Sequence, residues 1–137
     1  MIVDLSWWAV LISGLVYFAL GGFWFARPFF GRAWEAAQGF ERPAGFRLTA
    51  AYYVVPLIGS VVVAVVVRLA VGWLGAASVG EAVLVGATVG CAAVAVSLTN
   101  AIVPRFPRPI VFGMITGGYH LIAATLAAVV IRLFSAV

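Results

Sequence analysis

Four long stretches without Asp, Glu, Lys or Arg, residues 5–26, 48–67, 82–103 and 110–131, fill most of a 137-residue chain. A helix of about 20 apolar residues spans the ~30 Å hydrocarbon core of a bilayer. A water-soluble bundle of this length needs a polar face on every helix, and these stretches supply none. The fold expected is therefore all-α: a polytopic membrane protein with four transmembrane helices in one bundle. The helices are expected at about 5–26, 48–74, 79–103 and 110–134, in a single domain over 1–137.

Composition agrees with the membrane class, with 66% hydrophobic and 9% charged residues. Eight arginines, no lysine and four acids give a net charge of +4. The arginines are spread singly, without the aromatic interleaving of a nucleic-acid face, so no nucleic-acid partner is expected. The expected partners are the bilayer and either further copies of the chain or other membrane subunits. The lone Cys91 has no internal partner for a disulfide. The first apolar stretch follows only Met1-Ile2-Val3-Asp4, without the basic residues of a secretory signal, so it is expected to stay as a helix capped by Asp4.

Cytoplasmic connections are enriched in arginine and lysine near the helix ends. The first connection carries Arg27, Arg32, Arg42 and Arg47, and the third carries Arg105 and Arg108. Only Arg68 and Arg132 fall on the other side, each at the trailing end of a helix where its side chain can snorkel. Six against two predicts a cell-membrane protein with both termini outside the cytoplasm. Arg27, Arg32, Trp34, Arg105 and Arg108 are expected to anchor in the headgroups. Phe30, Trp34, Ala37 and Phe40 or Glu41 recur near helical spacing between Pro28 and Pro43, with Arg32, Glu35 and Gln38 between them, which predicts a short interfacial helix in the first connection. Ser78 and Glu81 have capping-box spacing ahead of the third helix.

Small residues permit close helix approach in lipid. Gly113, Thr116, Gly117, His120, Ala124 and Ala127 define such a face on the last helix, opposite a bulky face of Phe112, Ile115, Tyr119, Ile122, Leu126 and Leu133 expected to meet lipid or another chain. Ala82, Gly86 and Gly90 repeat the device on the third helix, and Ser13, Tyr17, Gly21 and Trp24 share a face of the first. Tyr52, Pro56, Gly59 and Ser60 mark a kink in the second. His120 lies about ten residues, or ~15 Å, inside its helix, near the bilayer midplane. An ionisable group at that depth faces the bundle or a wet cavity. Two readings stay open: a tie to Asn100, Tyr17 or a carbonyl, or a place on a path for a proton, ion or solute. His120, Tyr119, Asn100, Tyr17 and Trp24 are the expected polar cluster.

The run Leu20-Gly21-Gly22-Phe23-Trp24-Phe25, then Phe30-Gly31-Arg32-Ala33-Trp34, resembles the N-terminal motif of the domain-of-unknown-function family 1761. Asn100, a short basic turn and Gly118-Tyr119-His120-Leu121 resemble its second motif. The resemblance implies a small four-helix membrane protein without an established activity, and singles out Trp24, Trp34, Asn100, Tyr119 and His120. The chain departs from the family pattern at Phe25, commonly Tyr, and at Thr116, often Asn. No carboxylate pair, His cluster or nucleophile–His spacing falls at one depth, so no enzyme, metal or cofactor is expected. The function expected is a homo-oligomeric channel or transporter for a small ion or solute; the alternative is a non-catalytic accessory or assembly subunit.

Overall fold

The computed structural model describes residues 7–135, so the Asp4 cap and the first residues of the expected helix 5–26 lie outside the described residues. Every regular element among them is helical: α1 Trp7–Trp24, α2 Arg32–Ala37, α3 Ala51–Trp73, α4 Val79–Ile102 and α5 Pro109–Phe134. α1, α3, α4 and α5 are each long and apolar enough to cross a membrane. Local chemistry sets the ends. α1 stops at Trp24, whose carbonyl a continuing helix would pair with an N–H at position 28 that Pro28 lacks, and Ala26 is extended (φ −66°, ψ 143°). α3 ends at Gly75, whose φ of 64° suits a residue without Cβ, and Ala76 N–H then donates to Val71 O at 3.1 Å. α4 opens with a complete capping box: Glu81 N–H donates to Ser78 Oγ (3.2 Å), and Ser78 N–H donates to Glu81 Oε2 (3.0 Å). α5 starts on Pro109, which loses nothing there because a first-turn N–H has no helical partner. α3 is continuous through Pro56, and the Ser60 hydroxyl donates to the Pro56 carbonyl at 2.8 Å.

α5 is the central helix. α4 packs along one side of it, and α1 and α3 along the other, while α3 and α4 touch only slightly. The α4–α5 crossing is antiparallel and dense. A methyl group added at Gly86 would stand 2.6 Å from Thr125 Cα, at Gly90 2.5 Å from Leu121 Cα, and at Gly117 2.8 Å from Val94 Cα; Gly113 is equally filled by Leu98. Four glycines thus let two backbones approach at four successive turns, which in lipid is a main source of helix association. On the other side, Gly14 abuts Val61 of α3, and the Tyr119 phenol occupies the space beside Gly21.

Two sequence expectations change. The bulky face of α5 is not uniformly outward: Ile115 and Tyr119 are buried, whereas Ile122, Leu126 and Leu133 are exposed. The cause is the central position of α5, which must pack bulk toward α1 while its glycines receive α4. Arg68 does not snorkel outward either; it is 6% exposed, on the inward face it shares with Ser60, Ala64, Val67 and Val71. Arg132 reaches across to the Ala77 carbonyl, joining the α3–α4 turn to the end of α5.

Substitution of Gly90 or Gly117 by Leu is expected to lower detergent-state stability by about 1–3 kcal/mol through overpacking against backbone. Gly59 has nothing within 4 Å of an added Cβ, so Gly59→Ala is expected to leave stability unchanged or raised. Thermal unfolding of the three variants measures both.

Candidate functional site

Directly after α1 the chain makes a tight turn through Arg27–Gly31, where Phe29 leaves helical geometry (φ −105°, ψ −114°). Gly31 is pressed against the Phe25 and Ala26 carbonyls, leaving no room for a Cβ, and its N–H donates to Ala26 O at 3.1 Å. The turn folds α2 back onto the end of α5. α2 is only six residues long, and Ala37 and Glu35 turn inward. It is shorter than the periodicity of 30–41 suggests, and Trp34 serves the bundle: its indole N–H donates to Thr116 Oγ1 at 3.1 Å, and its ring stacks near Phe112. The Arg108 N–H donates to Ala37 O at 3.0 Å, so the first and third connections form one unit.

A buried acid holds this unit. Glu35 is 3% exposed; its Oε2 accepts from Arg27 Nη2 at 3.3 Å, and its Oε1 forms an ion pair with Arg42 Nη2 at 2.5 Å. Helical spacing alone puts Glu35 on the polar side of a surface helix, between the aromatic positions. Its partners come from either side, eight residues before and seven after, along a path with no helical period. No spacing signal announces such a clamp. Arg32, Arg105 and Arg108 are exposed, and Arg105 takes a left-handed backbone (φ 60°).

Deeper, α1 and α5 are joined by a ladder of polar contacts. Trp24 Nε1 donates to Ile115 O at 3.0 Å. The Tyr119 hydroxyl donates to Tyr17 O at 3.0 Å. Tyr17 Oη and His120 Nδ1 lie 2.7 Å apart, a hydrogen bond whose donor is set by the imidazole tautomer. Ser13 Oγ donates to Ala127 O at 3.3 Å. Consecutive residues of α5 therefore grip Tyr17 at both its carbonyl and its phenol. Rings extend the contact outward: Phe25 meets Tyr119 at 5.2 Å and Trp34 at 5.3 Å. Of the expected cluster, Tyr17, Trp24, Tyr119 and His120 converge here. Asn100 does not join the ladder. It lies, exposed, in a lateral groove of about 380 Å³ between α4 and α5 that His120, Thr116, Ser97, Ala93, Val96 and Phe112 also line. Ser13 and Thr116, which the sequence puts on the packing faces of their helices without assigning them a bond, take part because each sits at a register where a neighbouring helix presents a partner.

Stripping both arginines from a buried carboxylate leaves it uncompensated. Arg27→Gln with Arg42→Gln is expected to cost about 3 kcal/mol, discounted little because Glu35 itself is buried. Adding Glu35→Gln is expected to restore most of that loss, as unfolding of the double and triple variants will show.

Comparison with known proteins gives one family. No curated protein and no solved structure matches the chain. The family described as "Protein of unknown function (DUF1761)" matches residues 8–132, from the second residue of α1 into the last turn of α5, and so takes in both the Tyr17–His120 ladder and the arginine-rich unit. The chain belongs to that family of unknown function, as a member with four helices of membrane-spanning length and character.

Proposed function

We propose that the protein is a transport subunit for a small ion or solute, acting as an oligomer in which copies close their α4–α5 grooves against one another. The groove carries this reading. It brings Asn100, Ser97, Thr116 and His120 together on a lateral surface of helices that cross the membrane. Polar groups at such depth are costly against lipid and are retained where they meet one another or water. Beyond His120, Ala123, Ala124, Ala127, Ala128 and Ile131 are packed shut in the bundle core. A path that reaches His120 must therefore continue along the outer face of α4 and α5, and a second copy supplies its other wall. Asn100 and Thr116 lead toward the imidazole, and Tyr17 holds the ring in place through Nδ1.

The second reading, an accessory subunit without a path, is favoured by that same Tyr17–His120 bond, because it gives the histidine a structural partner already. As to orientation, we assign the arginine-rich end to the cytoplasm. The reading rests on six of eight arginines falling in two connections that fold into one unit.

Purified protein in proteoliposomes is expected to pass protons or a small ion, with His120→Gln losing flux by about tenfold or more while keeping its fold. Absence of flux in the wild type, with His120→Leu destabilised by about 1–3 kcal/mol, would leave the accessory reading. A fluorescent reporter fused after α5 that matures in the cytoplasm would reverse the orientation.

A further inference from the structure

A second cavity, of about 450 Å³, lies between α1 and α3 at the arginine-rich end. Its walls are apolar and aromatic, with Phe18, Gly22 and Phe25 on the α1 side and Tyr52 and Pro56 on the α3 side, and the Tyr119 ring contributes to its lining. Arg27 and Arg42 line it as well. Gly22 has nothing within 4 Å of an added Cβ, so the cleft is open space alongside α1.

Charge and shape together identify an occupant. Two arginines share one carboxylate, Glu35, leaving one positive charge in the trio. Glu35 is turned into the protein (side chain 4% exposed), whereas the Arg27 side chain is 43% exposed. Arg42 Nε is buried without a hydrogen-bond partner among the described residues. A phosphodiester brings one negative charge and several acceptor oxygens, which matches the surplus charge and the exposed Arg27 guanidinium. The apolar walls run along two helices of membrane-spanning length, as an acyl chain does. We propose that this cleft binds one anionic phospholipid, with its phosphate at Arg27 and Arg42 and one acyl chain between α1 and α3. A free anion would use the arginines and leave the apolar walls bare. A zwitterionic lipid would fill the walls and bring no net charge.

The test uses the full chain in detergent, titrated with phosphatidylglycerol, phosphatidylcholine or inorganic phosphate and followed by native mass spectrometry and thermal stability. Phosphatidylglycerol is expected to persist as a single adduct and to raise the melting temperature. Phosphatidylcholine is expected to bind about fivefold more weakly, the scale of one arginine's attraction to an anionic headgroup. Gly22→Leu fills the cleft from a position with free space, so it is expected to fold normally and to weaken phosphatidylglycerol binding by about fifteenfold or more, by displacing two or three acyl methylenes. Arg42→Gln is expected to weaken it about fivefold, while Arg47→Gln, an exposed arginine that does not line the cleft, leaves it unchanged. Wild-type affinity in Gly22→Leu would overturn the proposal, whatever Arg42→Gln does to folding. So would equal binding of the two lipids, or inorganic phosphate displacing phosphatidylglycerol at matched concentration.

Discussion

The close approach of α4 and α5 is the contact on which the rest of the molecule depends. Lipid offers no hydrophobic drive for one apolar helix to leave it for another, so association rests on dense packing and on polar ties. Gly86, Gly90, Gly113 and Gly117 provide the packing, each with a neighbouring backbone or side chain where a Cβ would stand. Because α4 occupies the glycine side of α5, the opposite side is free to carry Ile115 and Tyr119 inward toward α1. One helix thereby serves as the common surface for all the others.

That arrangement explains where the polar groups sit. Interhelical hydrogen bonds in membranes contribute about 0.6 kcal/mol each on average, so the four α1–α5 bonds orient the pair more than they hold it. They fix the His120 ring between Tyr17 and the α4–α5 groove. At the arginine-rich end the Trp34 indole bonds Thr116, and Glu35 draws Arg27 and Arg42 together, closing a loop that would otherwise hang from α1. The histidine is held from the side, by packing on one flank and a groove on the other. The imidazole therefore has a fixed partner on the α1 side and lines the groove on the other.

The four spans are legible in the sequence because hydropathy alone decides what can cross a bilayer, and each observed helix lies close to its charge-free run. The capping box at Ser78 and Glu81 is legible for a local reason, since both partners lie within one turn. Long-range features are not. The uniform apolarity that reveals a spanning helix also hides which of its faces turns inward, so periodicity alone puts Ile115 and Tyr119 on an outward bulky face, and position at a helix end alone lets Arg68 snorkel. Glu35 gives no pattern because its partners are brought by an irregular turn at Phe29 and a loop at Arg42. Asn100 and His120 share a groove across two helices, but their spacing of twenty residues does not say whether they touch.

The central claim is that the groove beside His120 is a wet polar surface rather than a lipid contact. Thiol accessibility tests it directly, with single cysteines placed in a Cys91→Ser background. Ala93 lines the groove, whereas its neighbour Ala92 is exposed and does not. A water-soluble thiol reagent applied to the protein in liposomes is predicted to label Ala93→Cys and to spare Ala92→Cys, which a lipid-soluble reagent then labels. Labelling of both positions by the lipid-soluble reagent alone would contradict the account.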